Sequence, residues 1–97
     1  MATARYPVPH PQVAARIVDG AALIVLSDAG QVNVLNPVGT RIWELIDGTR
    51  SIEEIAQTIQ GEYEVTHQQA LQDVEEFVQR LVDVQALVIQ DQPRSVV

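Results

Sequence analysis

The sequence predicts an α+β domain in which a three-stranded antiparallel sheet precedes three helices, and three observations carry that expectation. Short β-branched and aliphatic runs alternate with turn signals between residues 13 and 35. From residue 36 onward, apolar residues recur at helical spacing behind N-capping residues. A single short run, Leu87-Val88-Ile89, follows the last helical stretch and predicts a terminal strand.

Each element has a local cause. "RYPVPHPQ" at 5–12 holds three prolines, each fixing its own φ and biasing its predecessor toward extended geometry, so residues 1–12 are expected to form an extended arm. Residues 13–18 and Ala21–Leu26 flank Asp19-Gly20, a dipeptide suited to a two-residue type I′ hairpin. "SDAGQ" at 27–31 predicts a second turn. A third strand follows at 32–35, with Val32 and Val34 on one face and Asn33 and Leu35 on the other.

Asn36 can cap a first helix with Pro37 at its first position, where the missing N–H costs nothing. Val38, Ile42, Leu45 and Ile46 give that helix an apolar stripe, and Gly48 a stop. Ser51 and Glu54 form a capping box for a second helix, whose stripe of Ile52, Ile55, Ala56 and Ile59 runs to Gly61. Thr66 and Gln69 repeat the box before the longest helix, about 67–85, with Ala70, Leu71, Val74, Phe77, Val78 and Leu81 in line. The order is of winged-helix type, with a core domain expected at 13–90 and a flexible tail at 91–97.

Composition narrows the function. The 97 residues, 46% of them hydrophobic, suit one small core. There are no cysteines, so no disulfide, zinc–thiolate site or cysteine nucleophile is available. Thirteen acids against six arginines and no lysine give a net charge of −7, which repels phosphate backbones, so no nucleic-acid partner is expected. The longest apolar run is far shorter than the roughly 20 residues that span a bilayer, and the start lacks a signal-peptide core. A cytoplasmic protein without a membrane partner is the expectation.

The third strand carries the main functional signal. Edge strands are usually guarded by lysine, proline, a bulge or an inward charge, yet "QVNVL" has neither proline nor charge. The outer strand on the other side of the meander carries Arg16 and follows Pro11, so it is the better defended edge. An extended peptide could add beside the third strand, with pockets for its alternate side chains between strand and last helix, lined by Val34, Val74, Phe77 and Leu81. Those four equally suit a plain core. Covering of the edge by residues 87–90, or by a second copy of the chain, is the competing expectation. Asp73, Glu76 and Arg80 lie on a neighbouring stripe of the last helix, where they are either solvated or face a bound strand's charges.

No catalytic constellation is visible. His10 and His67 are isolated, which suits neither a metal site nor a base–nucleophile pair. Glu53-Glu54 and Glu75-Glu76 occupy adjacent helical positions that point about 100° apart. Trp43, the single tryptophan, is expected to anchor the core.

"VLNPVGTRIWELIDGTRSIEEIAQTIQGEYEV" followed by "DVEEFVQRLVDVQALV" resembles the PqqD-like proteins, also called RiPP recognition elements, over roughly residues 13–90. The resemblance rests on "LN" entering a helix, "IWELIDG" ending one, the "SIEEI" start, and a long helix closing before "LV". The branch serving pyrroloquinoline quinone often has a cysteine before its Asp-Gly turn, where this chain has Ile46.

The resemblance implies a non-catalytic, cofactor-free peptide chaperone. Such a domain binds the leader segment of a ribosomally made precursor and presents it to a radical SAM maturase or a lasso-type leader peptidase. It further implies a peptide site at Val32, Asn33, Val34 and Leu35 and on the last helix at Ala70, Asp73, Val74, Phe77, Arg80 and Leu81. A homodimer is a further partner expectation. A winged-helix DNA binder shares the architecture but needs a basic helix, whereas residues 67–85 hold one arginine among their acids. A general protein–protein interaction module is the other alternative. An acidic carrier protein would need an Asp-Ser-Leu triplet, which is absent.

Overall fold

The computed structural model describes residues 4–26 and 31–93. Its elements run β1 (Tyr6–Pro9), β2 (Ala14–Val18), β3 (Ala21–Leu26), β4 (Gln31–Val34), α1 (Pro37–Leu45), α2 (Ile52–Tyr63), α3 (His67–Asp83) and β5 (Leu87–Gln90). Strands β2, β3 and β4 form an antiparallel meander in that order, while β1 and β5 form a separate two-stranded antiparallel sheet. The result is an α+β, winged-helix-like architecture. Of the turn expected at 27–31, residues 27–30 lie outside the described residues, as do 94–97 of the expected tail.

The β2–β3 hairpin closes through Asp19 and Gly20 at φ of +53° and +82°, the left-handed pair that a type I′ turn requires. Asn36 caps α1 by accepting the Gly39 N–H at 2.7 Å, with Pro37 in the first turn. The α2 capping box is complete: Glu54 N–H donates to Ser51 Oγ, and Ser51 N–H to Glu54 Oε1. Gly61 does not end α2, which runs on to Tyr63 and stops at Glu64 in the left-handed region. Thr66 caps α3 by accepting from Gln69 N–H. At its far end, Gln85 at φ +63° closes a Schellman motif in which Ala86 N–H donates to the Leu81 carbonyl and Gln85 N–H to that of Val82.

The segment expected as an extended arm is extended, and within it Tyr6–Pro9 form β1. Tyr6 to Pro9 pair with Gln90 to Leu87, and His10 N–H donates to the Ala86 carbonyl. That last bond fixes the alternation: Pro7 and Pro9 fall at sites whose nitrogen faces away from β5, so two prolines cost the ladder nothing. Pro7 and Val8 are buried. Arg5 adds two ties, its carbonyl accepting from Ile52 N–H and its guanidinium pairing with Glu75.

One core lies between the sheet and the helices, built from Ile24 of β3, Ile42 and Leu45 of α1, Ile55 and Ile59 of α2, Val74 and Val78 of α3, and Leu87 of β5. Trp43 packs against it, half-buried, as expected. Thr40 stitches α1 to the sheet: its buried hydroxyl accepts Ala22 N–H at 3.0 Å and donates to the Leu35 carbonyl at 3.3 Å. Arg41 braces α1 to α2 through a bidentate pair with Glu62, which raises the guanidinium's pKa and holds the carboxyl below its ordinary range. No helix among the described residues is long and apolar enough to cross a membrane.

Candidate functional site: an open strand edge beside a trough

The site is built around β4. Its register with β3 pairs Val34 with Leu23, Asn33 with Ile24 and Val32 with Val25, and Leu35 N–H extends the ladder to the Ala22 carbonyl at 2.9 Å. In an antiparallel ladder, bonded and non-bonded pairs alternate. Since Leu35 is bonded inward, Asn33 is too, and the N–H and C=O groups of Val32 and Val34 face away from β3. β4 is the end strand of its sheet, so among the described residues nothing pairs with that row. The terminal strand β5, a competitor for the edge, is engaged with β1 instead.

The two faces of β4 differ. Asn33 and Leu35 share the face of buried Ala22 and Ile24 and are themselves half-buried. Val32 and Val34 stand on the opposite face, 55% and 67% exposed. There Val32 joins Ala14, Leu23 and Val25 around a shallow apolar depression of about 490 Å³, a surface the sequence reading did not single out.

On the helix side, a cavity of about 260 Å³ separates the β4 edge from α3. Asn33, Val34 and Leu35 line one side and Phe77, Arg80, Leu81 and Val84 the other. A second cavity of about 330 Å³ continues it, bounded by Val38 and Ile42 of α1 and by Asp73 and Glu76 of α3. The two share Asn36, Gly39, Phe77 and Arg80, so they form one trough. Gly39 makes the shared section narrow: a Cβ there would meet Phe77 Cε2 at 3.2 Å and the capping Asn36 Oδ1 at 3.1 Å.

Of the residues the sequence pointed to, the structure brings together Asn33, Val34, Leu35, Asp73, Phe77, Arg80 and Leu81 around this trough. Val32 lies on the same edge but lines the depression on the other face. Ala70 and Val74 do not reach the trough; both have no exposed surface and belong to the core. Asn36, Val38, Gly39, Ile42 and Val84 were missed as lining residues. Asn36 carried only a capping signal, although a glycine one turn into a helix that has no need of it hints at a close approach.

Arg80 lines both cavities, and Asp73 and Glu76 line the second. Asp73 accepts from the Gln69 side chain at 2.8 Å and Glu76 from that of Gln72 at 3.4 Å. Arg80 has no acidic partner among the described residues. His67 lies elsewhere, exposed beside Gln60 and Glu53, and His10 accepts the Gln12 N–H in the β1–β2 turn.

Comparisons with known proteins agree with this architecture. The family described as Coenzyme PQQ synthesis protein D (PqqD) matches residues 22–87. The solved structure "TbiB1 in Complex with the TbiA(beta) Leader Peptide" superposes with a TM-score of 0.77 at 26% identity, covering 82% of this chain and 93% of that one. "Lasso peptide synthetase B1 complexed with the leader peptide" has the same TM-score at 21% identity, over 84% of this chain and 96% of its own. No curated protein matches the chain.

Proposed function

The chain belongs to the PqqD family, and from that premise we propose that it binds the leader segment of a ribosomally made precursor peptide by strand addition at β4. The observation that carries this is the unpaired main-chain row of Val32 and Val34 lying beside the trough. Support from relatives comes through TbiB1, 26% identical and solved with a leader peptide.

An incoming strand would exchange hydrogen bonds with the N–H and C=O groups of Val32 and Val34, worth roughly 2–6 kcal/mol if all form. Its side chains would alternate. Those level with Asn33 and Leu35 enter the trough, and those level with Val32 and Val34 extend the apolar outer face. The bonds give orientation, and the trough gives selectivity.

In this reading the chain performs no chemistry and needs no cofactor. It raises the effective concentration of the precursor at a modifying enzyme, a radical SAM maturase or a lasso-type leader peptidase.

The test is a proline scan. Val34→Pro deletes an outward N–H and should weaken leader binding about tenfold in a fluorescence-polarisation titration while the fold is retained. Asn33→Pro removes an N–H that serves the β3–β4 ladder and should disturb the sheet itself. Unaltered binding by folded Val34→Pro would remove strand addition.

A further inference from the structure

Arg80 is unusual for its surroundings. The chain has thirteen acids, and among the described arginines Arg5, Arg41 and Arg50 each pair with one, while Arg16, on the exposed strand β2, and Arg80 do not. Glu76 stands one turn before Arg80, the spacing of a helical ion pair, yet it is bound to Gln72. Arg80 instead lines both cavities, as does Phe77. A planar, permanently charged fork without an acidic partner, beside an aromatic ring in a concave trough, is suited to a carboxylate held there by another molecule.

The order of groups along the trough adds a second constraint. From the β4 end, α3 and its C-cap present Leu81 and Val84, then Phe77 and Arg80, then Asp73 and Glu76. One helical turn advances about 5.4 Å, close to the roughly 6.6 Å between alternate residues of an extended strand. A peptide strand running along α3 would therefore set successive trough-facing side chains against successive turns of the helix.

Resting on the strand-addition reading, we propose that the trough selects leader peptides by charge order: an acidic side chain against Arg80, set between an apolar side chain over Leu81 and a basic one against Asp73 and Glu76. In sequence this is apolar, acidic and basic residues at every second position, with the direction of reading set by the direction of the added strand. Arg80 also complements the carbonyl end of α3, but that role affects stability and not the choice of peptide.

A displayed library of random dodecapeptides, selected separately on the wild-type chain, Arg80→Glu, Arg80→Gln and Val34→Pro, tests this. Arg80 is exposed, so its variants keep the core intact. The expected wild-type pool is enriched about tenfold in Asp or Glu at the central position. Arg80→Gln should lose that enrichment and Arg80→Glu should replace it with Lys or Arg. A pool with apolar anchors but the same central residues on all Arg80 variants overturns the charge order and leaves strand addition standing. A wild-type pool with no enrichment, or one bound equally by folded Val34→Pro, overturns strand addition and the charge order with it.

Discussion

The terminal pair β1–β5 and the end strand β4 meet their surroundings in opposite ways. At one, β1 and β5 pair with each other, and Pro7, Val8 and Leu87 are buried where they meet. At the other, β4 pairs with β3 alone and leaves Val34 two-thirds exposed. Strands of four residues serve in both. The difference teaches that an open edge here is not a shortage of chain to cover it. The terminal strand is committed elsewhere, held by the Schellman turn at Gln85 and by Arg5 at the start of α2.

The comparison breaks most visibly at the closed pair. Leu87→Ala removes a fully buried side chain and should cost about 2–5 kcal/mol in chemical denaturation. Peptide affinity of the folded fraction should stay unaltered, because Leu87 touches neither the edge nor the trough. A parallel loss of affinity would mean that the two regions are coupled.

Thr40→Val is the next largest. It keeps the shape but leaves the buried Ala22 N–H without an acceptor, at a cost of about 1–3 kcal/mol. Since the same hydroxyl ends the β3–β4 ladder at Leu35, faster amide exchange should appear at Ala22 and Leu35 before the terminal pair.

Gly39→Ala sharpens the other side. Alanine gains about 1 kcal/mol of helix propensity, but its methyl crowds Phe77 and the Asn36 cap. Calorimetry should show stability nearly unchanged and leader affinity reduced severalfold; undisturbed affinity would show that the Phe77 ring position does not matter to binding.

The smallest effect lies in the α1–α2 connection, outside both regions. Burial raises the pKa of Asp47, but hydrogen bonds from the Thr49 side chain and backbone and the charge of Arg50 outweigh it, leaving the carboxyl below its ordinary value. A depressed folded pKa means that its contribution is whole above the unfolded value of about 3.9 and fades as pH falls through the folded one. Asp47→Asn should therefore flatten the acid limb of a melting-temperature profile without altering peptide binding at neutral pH.

Much of this was legible in the sequence because it is local chemistry. The caps at Asn36, Ser51 and Thr66, the Asp19-Gly20 hairpin and the uncharged third strand each announce themselves within a few residues. β1 did not, because prolines two apart suggest an arm unless the partner strand is known; only the register with β5 turns their missing N–H groups outward. The trough was half legible for a related reason. Ala70, Val74, Phe77 and Leu81 share one apolar face of α3, and periodicity has no means of telling where the core ends along it.

Amide hydrogen exchange at β4, residue by residue, tests the open edge most directly. In the free protein, the N–H groups of Val32 and Val34 should exchange fast while those of Asn33 and Leu35 are protected, and saturating leader peptide should slow the first two selectively. Protection already present at Val32 and Val34 in the free chain, or no slowing on binding, would contradict strand addition at this edge.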